Sequence, residues 1–309
     1  MSETPAPTAQ AASAAARIWP GSLLAAAGAI AFSAKAILAK LMYRHGVDAV
    51  QVVFYRMLFA LPLFVALAWW AGRGKPRLSA RDWCTVAALG FCGYYLASML
   101  DFMGLQYISA SLERLILYLN PTLVLLLSVW LGKTRLSPRQ LAAMGLSYAG
   151  MLIVFGQELR FEGPHAANVT LGSALVFGSA VAYAIYLSGS GQVVQRFGSL
   201  RLTGLATGVA CLFAIAQLFV LRPLSALVVP EPVLWLSLAN ATLCTFAPVL
   251  MVMMAIERIG APLAAQTGMI GPLSTVLLGV TLLGEPFTGW VVAGTALVIT
   301  GVWLMSKRR

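Results

Sequence analysis

Five ionisable residues stand inside stretches of sequence that are otherwise apolar: Lys35, Arg56, Asp101, Glu113 and Arg114. Ammonium, guanidinium and carboxylate groups in such surroundings can receive the charged end of a solute, carry a proton, or pair with one another. A charge at the centre of a bilayer costs ~2.5–3.5 kcal/mol, so five bare charges would cost roughly 12–17 kcal/mol, more than a typical domain's net stability. They must pair or face water. The bases outnumber the acids by one, and the surplus positive charge suits a carboxylate.

Helical spacing groups these residues with polar and aromatic neighbours. Glu113, Leu117 and Asn120 share one helix face, and Arg114, Tyr118 and Pro121 the adjacent one. Tyr94, Tyr183, Tyr186 and Gln266 add hydroxyl, amide and ring surface, a mixture suited to a small amphipathic solute. Lys35 and Glu113 are expected to contact that solute or couple a proton to its movement, with Asn120, Tyr118, Tyr94, Tyr183, Tyr186 and Gln266 around them. Asp101 and Arg114 flank one tight turn near Ile108 and lie at similar depth, roughly 10 Å from its end at 1.5 Å per residue. With Arg56 they are expected to form an intramembrane ion-pair network, Asp101 pairing with Arg114.

Other chemistry is poorly served. No HExxH or GxSxG pattern occurs. Cys84, Cys92, Cys211 and Cys244 lie in apolar runs without metal-type spacing, and His45 and His165 stand alone in loops. The expectation is no enzyme, no metal and no cofactor.

The elements that position these residues are apolar runs about as long as a bilayer is thick, ~20 residues. The chain has 309 residues, 60% hydrophobic and 10% charged, where a soluble domain carries about 25% charged residues. Ten spans are expected: about 19–43, 49–71, 83–107, 109–130, 140–156, 170–191, 202–221, 233–256, 262–283 and 289–305. A polar loop is expected over 157–169, and the Ala-rich residues 1–17 read as a disordered tail. The tail does not have the basic start, apolar core and cleavage site of a signal peptide in that order.

The net charge of +11 reads as a topology signal and not as nucleic-acid binding. With the N-terminus inside, the short loops and tails of the cytoplasmic face carry fourteen of the 21 Lys and Arg. The outer face carries only Arg44, Arg160 and Arg222. Both termini are therefore expected in the cytoplasm of a bacterial-type inner (plasma) membrane, with the lipid bilayer and a small-molecule solute as partners and the protein a monomer or a homodimer.

One offset, 151 residues, relates the two halves. Gly21-Ser22-x-Leu24 matches Gly172-Ser173-x-Leu175, and Ile108-x-Ala110-x-Leu112 matches Ile259-x-Ala261-x-Leu263. Pro121 matches Pro272, a pair expected to kink equivalent helices, and Gly150 matches Gly301. Five spans per half place the second half upside down relative to the first. The fold class is thus all-α, a polytopic membrane protein with ten transmembrane helices in two inverted five-helix repeats, over 18–158 and 159–309. Inverted repeats recur in transporters, with the binding site between the halves. The charged positions are not repeated: Glu113 matches Ala264, Arg114 matches Ala265 and Lys35 matches Tyr186.

The segments 39–47 (AKLMYRHGV), 55–63 (YRMLFALPL), 104–132 and 257–301 resemble the EamA family of the drug/metabolite transporter superfamily, and the resemblance extends over about 19–305. It implies a central cavity walled mainly by the first, third, fourth, sixth, eighth and ninth spans. It also implies export of amino acids or related small metabolites by alternating access; the alternatives are larger or cationic drug-like compounds, or an uncoupled channel. Two departures are local: Glu113-Arg114 stands where many members carry small residues, and Lys133-Thr134 stands where the second half has Gly284-Glu285.

Overall fold

The computed structural model describes residues 7–132, 135–162, 166–259 and 267–306. Helices α1 (Pro7–Tyr43), α2 (Ala49–Gly72), α3 (Ala80–Leu105) and α4 (Ala110–Trp130) are followed by α5 (Pro138–Glu162), α6 (Ala166–Phe197) and α7 (Ser199–Leu221). Next come α8 (231–259), α9 (Ile270–Leu283) and α10 (Gly289–Ser306). Eight of these are long and apolar enough to cross a membrane, and α9 and α10 are shorter apolar helices. The described residues contain no strand.

Two sequence expectations are corrected. Residues 7–17 are not a disordered tail but continue α1, as alanine, the strongest helix former, allows. The polar 157–169 segment is mostly helical: α5 runs to Glu162 and α6 starts at Ala166, so both extend beyond their apolar runs.

Large apolar side chains point outward as well as inward. Exposed tryptophans gather at helix ends, Trp69, Trp70, Trp83 and Trp130 on one face of the molecule and Trp235 and Trp290 on the other, as at a membrane's two interfaces. Hydrogen bonds define the same two faces. On the first, Lys75 Nζ donates to the Phe197 carbonyl, Arg201 to the Pro76 carbonyl, and Arg196 pairs with Asp82 at 2.8 Å; this is the basic face. On the opposite face Arg44 donates to the Leu283 carbonyl, Gln51 to the Ala226 carbonyl, and Arg222 pairs with Asp48.

Packing between the halves follows an exchange pattern. α2 lies on α7 and α5 on α10; α1 packs on α8 and α9, as α6 packs on α3 and α4. The local irregularities repeat too. A π-helical turn interrupts α3 at Phe91–Leu96 and α8 at Thr242–Phe246, starting 151 residues apart. α4 breaks at Tyr118–Leu119, just before Pro121, and residues 268–269 break the chain just before α9 and Pro272.

The α5–α10 contact rests on glycine. A Cβ on Gly150 would lie 2.5 Å from the Gly294 carbonyl oxygen, and one on Gly301 would lie 2.2 Å from Ser147 Oγ. Small residues let membrane helices approach closely. Gly150→Val should therefore destabilise the protein by the ~1–3 kcal/mol typical of overpacking, read as a lower thermal midpoint in detergent. On α7, Gly204 plays the same part against Ala68, whereas nothing lies within 4 Å of a Cβ on Gly208.

Candidate functional site

A cavity of about 350 Å³ lies between the halves. α1 supplies Phe32 and Lys35, α2 Arg56 and Phe64, α3 Tyr94 and Asp101, and α4 Arg114, Leu117, Tyr118 and Asn120. The second half contributes Tyr183 from α6, Thr203 and Thr207 from α7, and Thr245 to Met253 along α8. Lys35, Arg56, Asp101 and Arg114 lie towards the face that holds Arg44 and Asp48, whereas Thr203 and Met253 lie towards the basic face. The cavity is thus charged at one end and lined by threonines and apolar and aromatic side chains toward the other.

The charges pair differently from the sequence expectation. Asp101 does not pair with Arg114. Its Oδ2 accepts from Lys35 Nζ at 2.5 Å, and Lys35 lies 3.6 Å from Glu113 Oε1. Both buried carboxylates therefore share one ammonium. Equal depth along two helices, as at Asp101 and Arg114, does not fix azimuth, and α1 passes close enough to interpose Lys35. Phe32 and Phe102 lie beside that ammonium, each ring centroid 5.5 Å away.

The two guanidinium groups are held alike. Arg56 Nε donates to Thr245 Oγ1 at 3.1 Å, and Arg114 Nε donates to Thr275 Oγ1 at 3.0 Å. Each threonine hydroxyl passes its own proton to a backbone carbonyl, of Asn240 and Gly271 respectively. Arg114 also donates to the Phe32 carbonyl. Among the described residues neither guanidinium has a carboxylate oxygen within 4.0 Å. Arg56 Nη1, Asp101 Oδ1, Asn120 Oδ1 and Thr207 Oγ1, all on residues lining the cavity, are buried without a hydrogen-bond partner among the described residues. Buried polar groups ordinarily find partners, so these four are exceptions within the wall.

The π-helical turns explain part of the wall. Such turns cluster at functional sites because the extra residue rotates side chains off the regular helical face. Here they carry Tyr94 and Thr245, repeat equivalents at the offset of 151 that both line the cavity. Arg56 and Thr207 are equivalents as well. Sequence reasoning passed over Thr203, Thr207, Thr245 and Ser179; applying the offset to Arg56 and Tyr94 would have found Thr207 and Thr245.

Not every expected residue reaches the wall. Glu113 is fully buried behind it and meets the site through Lys35. Tyr186 stands behind Tyr94 and Tyr183: its hydroxyl is 3.2 Å from that of Tyr94, and its ring stacks on Tyr183 with centroids 5.6 Å apart. Gln266 lies outside the described residues. Helices α2 and α7 join the wall, whereas α9 supports it from behind through Thr275, and the Gly268 carbonyl just before α9 accepts from the Tyr118 hydroxyl at 2.6 Å.

At the Arg44 face, two carboxylates bind the start of α4. Glu158 accepts from Ser109 N and Oγ at 2.6 and 2.7 Å. Glu285 accepts from Ala110 N at 2.6 Å and Ser111 Oγ at 2.8 Å. Negative charge at a helix N-terminus satisfies its free N–H groups and complements its dipole. One carboxylate from each half thus holds the helix that carries Glu113 and Arg114.

The chain matches the model of the EamA-like transporter family twice, over residues 19–156 and 170–307. The transporter YcbK of Bacillus subtilis (strain 168) is 30% identical over 277 residues, covering 86% of each chain. A transporter of Archaeoglobus fulgidus is 25% identical over 267 residues, covering 85% of this chain and 89% of its own. A solved crystal structure superposes with a TM-score of 0.63 at 18% identity over 93% of this chain and 97% of its own, a likeness of fold alone. With the family's unit recognised in each half, and a cavity lined by charged and aromatic groups between apolar helices, the chain belongs to the EamA-like transporter family: it is a multi-pass membrane transporter and not an enzyme.

Proposed function

We infer that the protein exports amino acids or related small carboxylate-bearing metabolites by alternating access through the cavity between its halves. In this reading ten helices span a bacterial-type inner membrane as two inverted five-helix repeats with both termini in the cytoplasm, so the basic face is cytoplasmic. The charge distribution of the loops and the exchange pattern of helix packing support that arrangement.

One observation carries the choice of solute. Arg56 and Arg114 line the cavity beside neutral threonines, while the nearby carboxylates are committed to Lys35. A guanidinium without a carboxylate is an anion receptor, and its planar fork matches a solute carboxylate. Asp101 lines the same end, so a solute ammonium would meet a carboxylate there, and a zwitterion suits the cavity as well as a simple acid. Cationic drug-like compounds are the second reading. Asp101 alone supports it, and the two guanidinium groups oppose it.

Counterflow in proteoliposomes tests the assignment. Liposomes loaded with unlabelled apolar amino acids should accumulate the labelled amino acid transiently and saturably. Uptake of organic cations with no response to any carboxylate would overturn the solute class. A non-saturating conductance would overturn the carrier itself.

A further inference from the structure

We propose that the solute reaches the central cavity sideways, through a second cavity closed by Tyr118, and that this route selects solutes with an apolar body. The inference rests on reading the central cavity as the solute site.

The second cavity, about 560 Å³, lies between α4, the turn just before α9, and α10. Its walls include Val124, Leu125 and Ser128 of α4, Gln140 of α5, and Val302 and Met305 of α10. Ser128, Gln140 and Met305 place it in the basic-face half. Leu117 and Tyr118 line both cavities, so these two side chains form the partition.

The partition is built to move. Tyr118 sits at the break of α4, and its hydroxyl donates to Gly268 at the facing break before α9. The hydroxyl is wedged against that segment, since a Cβ on Gly271 would come within 2.7 Å of it. At the break, Leu117's carbonyl is taken by Asn120 Nδ2 at 2.7 Å. A rotation of the tyrosine ring therefore gives up one hydrogen bond and leaves the helices' own ladders intact.

The walls say what would pass. Among its described lining residues the second cavity has no charged side chain. Apolar walls admit an apolar body. Gln140 and Ser128, then the Tyr118 hydroxyl, then Asn120 and Arg114 offer a polar end successive partners along the way. Asn120 lines the central cavity and not the second one, so it is the first amide past the gate.

The test uses the full chain in liposomes, with Cys84, Cys92, Cys211 and Cys244 replaced and Val249→Cys reporting from the central cavity wall. The probe is N-ethylmaleimide, and the readout is the labelling rate, which needs no transported solute. Failure of the proposed solute class would therefore leave it unaffected. Tyr118→Phe, which removes the latch, should speed labelling severalfold. Ser128→Trp, which fills the side cavity, should slow it severalfold, and the smaller Ser128→Phe serves if the tryptophan variant does not fold. Equal labelling in the latched, unlatched and filled proteins would overturn the proposal. So would loss of co-purified lipid in the filled variant at an unchanged labelling rate, which would make the cavity a groove for acyl chains.

Discussion

Lys35→Ala is expected to destabilise the folded protein by about 3–5 kcal/mol, the usual cost of removing one partner from a buried ion pair. Lys35, Asp101 and Glu113 are all buried, and Glu113 is fully so. Without the ammonium, two carboxylates would face each other in a low-dielectric interior. The measurement is the yield of monodisperse protein and its thermal midpoint in detergent. The cause is tested by combining Lys35→Ala with Asp101→Asn and Glu113→Gln, which should recover part of the folded protein because no carboxylate is left without its ammonium. Recovery of folding without transport would give the three charges a part in transport. Recovery of both would make them a lock that joins α1, α3 and α4. A Lys35→Ala protein as stable as the wild type would contradict the electrostatic argument.

Arg56→Gln is expected to weaken carboxylate transport with the fold preserved. Charge-assisted hydrogen bonds contribute ~1.5–3 kcal/mol, which at ~1.4 kcal/mol per decade is roughly a 10–100-fold rise in KM. The fold should tolerate the change because Arg56 bonds only a neutral threonine and rests on Phe102, 4.9 Å from its ring centroid. Arg56→Lys should recover part of the loss, since it keeps the charge but lacks the fork. The check is KM by counterflow for an amino acid and its neutral amide, with only the acid affected. Equal loss for both would mean that Arg56 shapes the cavity without receiving a carboxylate. Arg114 differs, because it also binds the Phe32 carbonyl and ties α1 to α4 and α9.

Sequence by itself determined the membrane class, the helical architecture and the two-fold internal relation. These are summed properties: apolar runs of bilayer length, loop charge, and a constant spacing that survives in the π-helical turns and the helix breaks. It also singled out Lys35, Arg56, Asp101 and Arg114, because isolated charge in an apolar run is conspicuous and all four line the cavity. The tertiary structure alone decided the pairing. Depth follows from counting residues, but which side chain faces which depends on helix rotation and on which neighbours reach the same depth. Those rotations gave Asp101 to Lys35 and Arg114 to Thr275, and placed Glu113 behind the wall. Threonines were invisible for a related reason. A hydroxyl in an apolar helix usually bonds its own backbone, and only the arrival of a guanidinium from the other half turned Thr245 and Thr275 into partners.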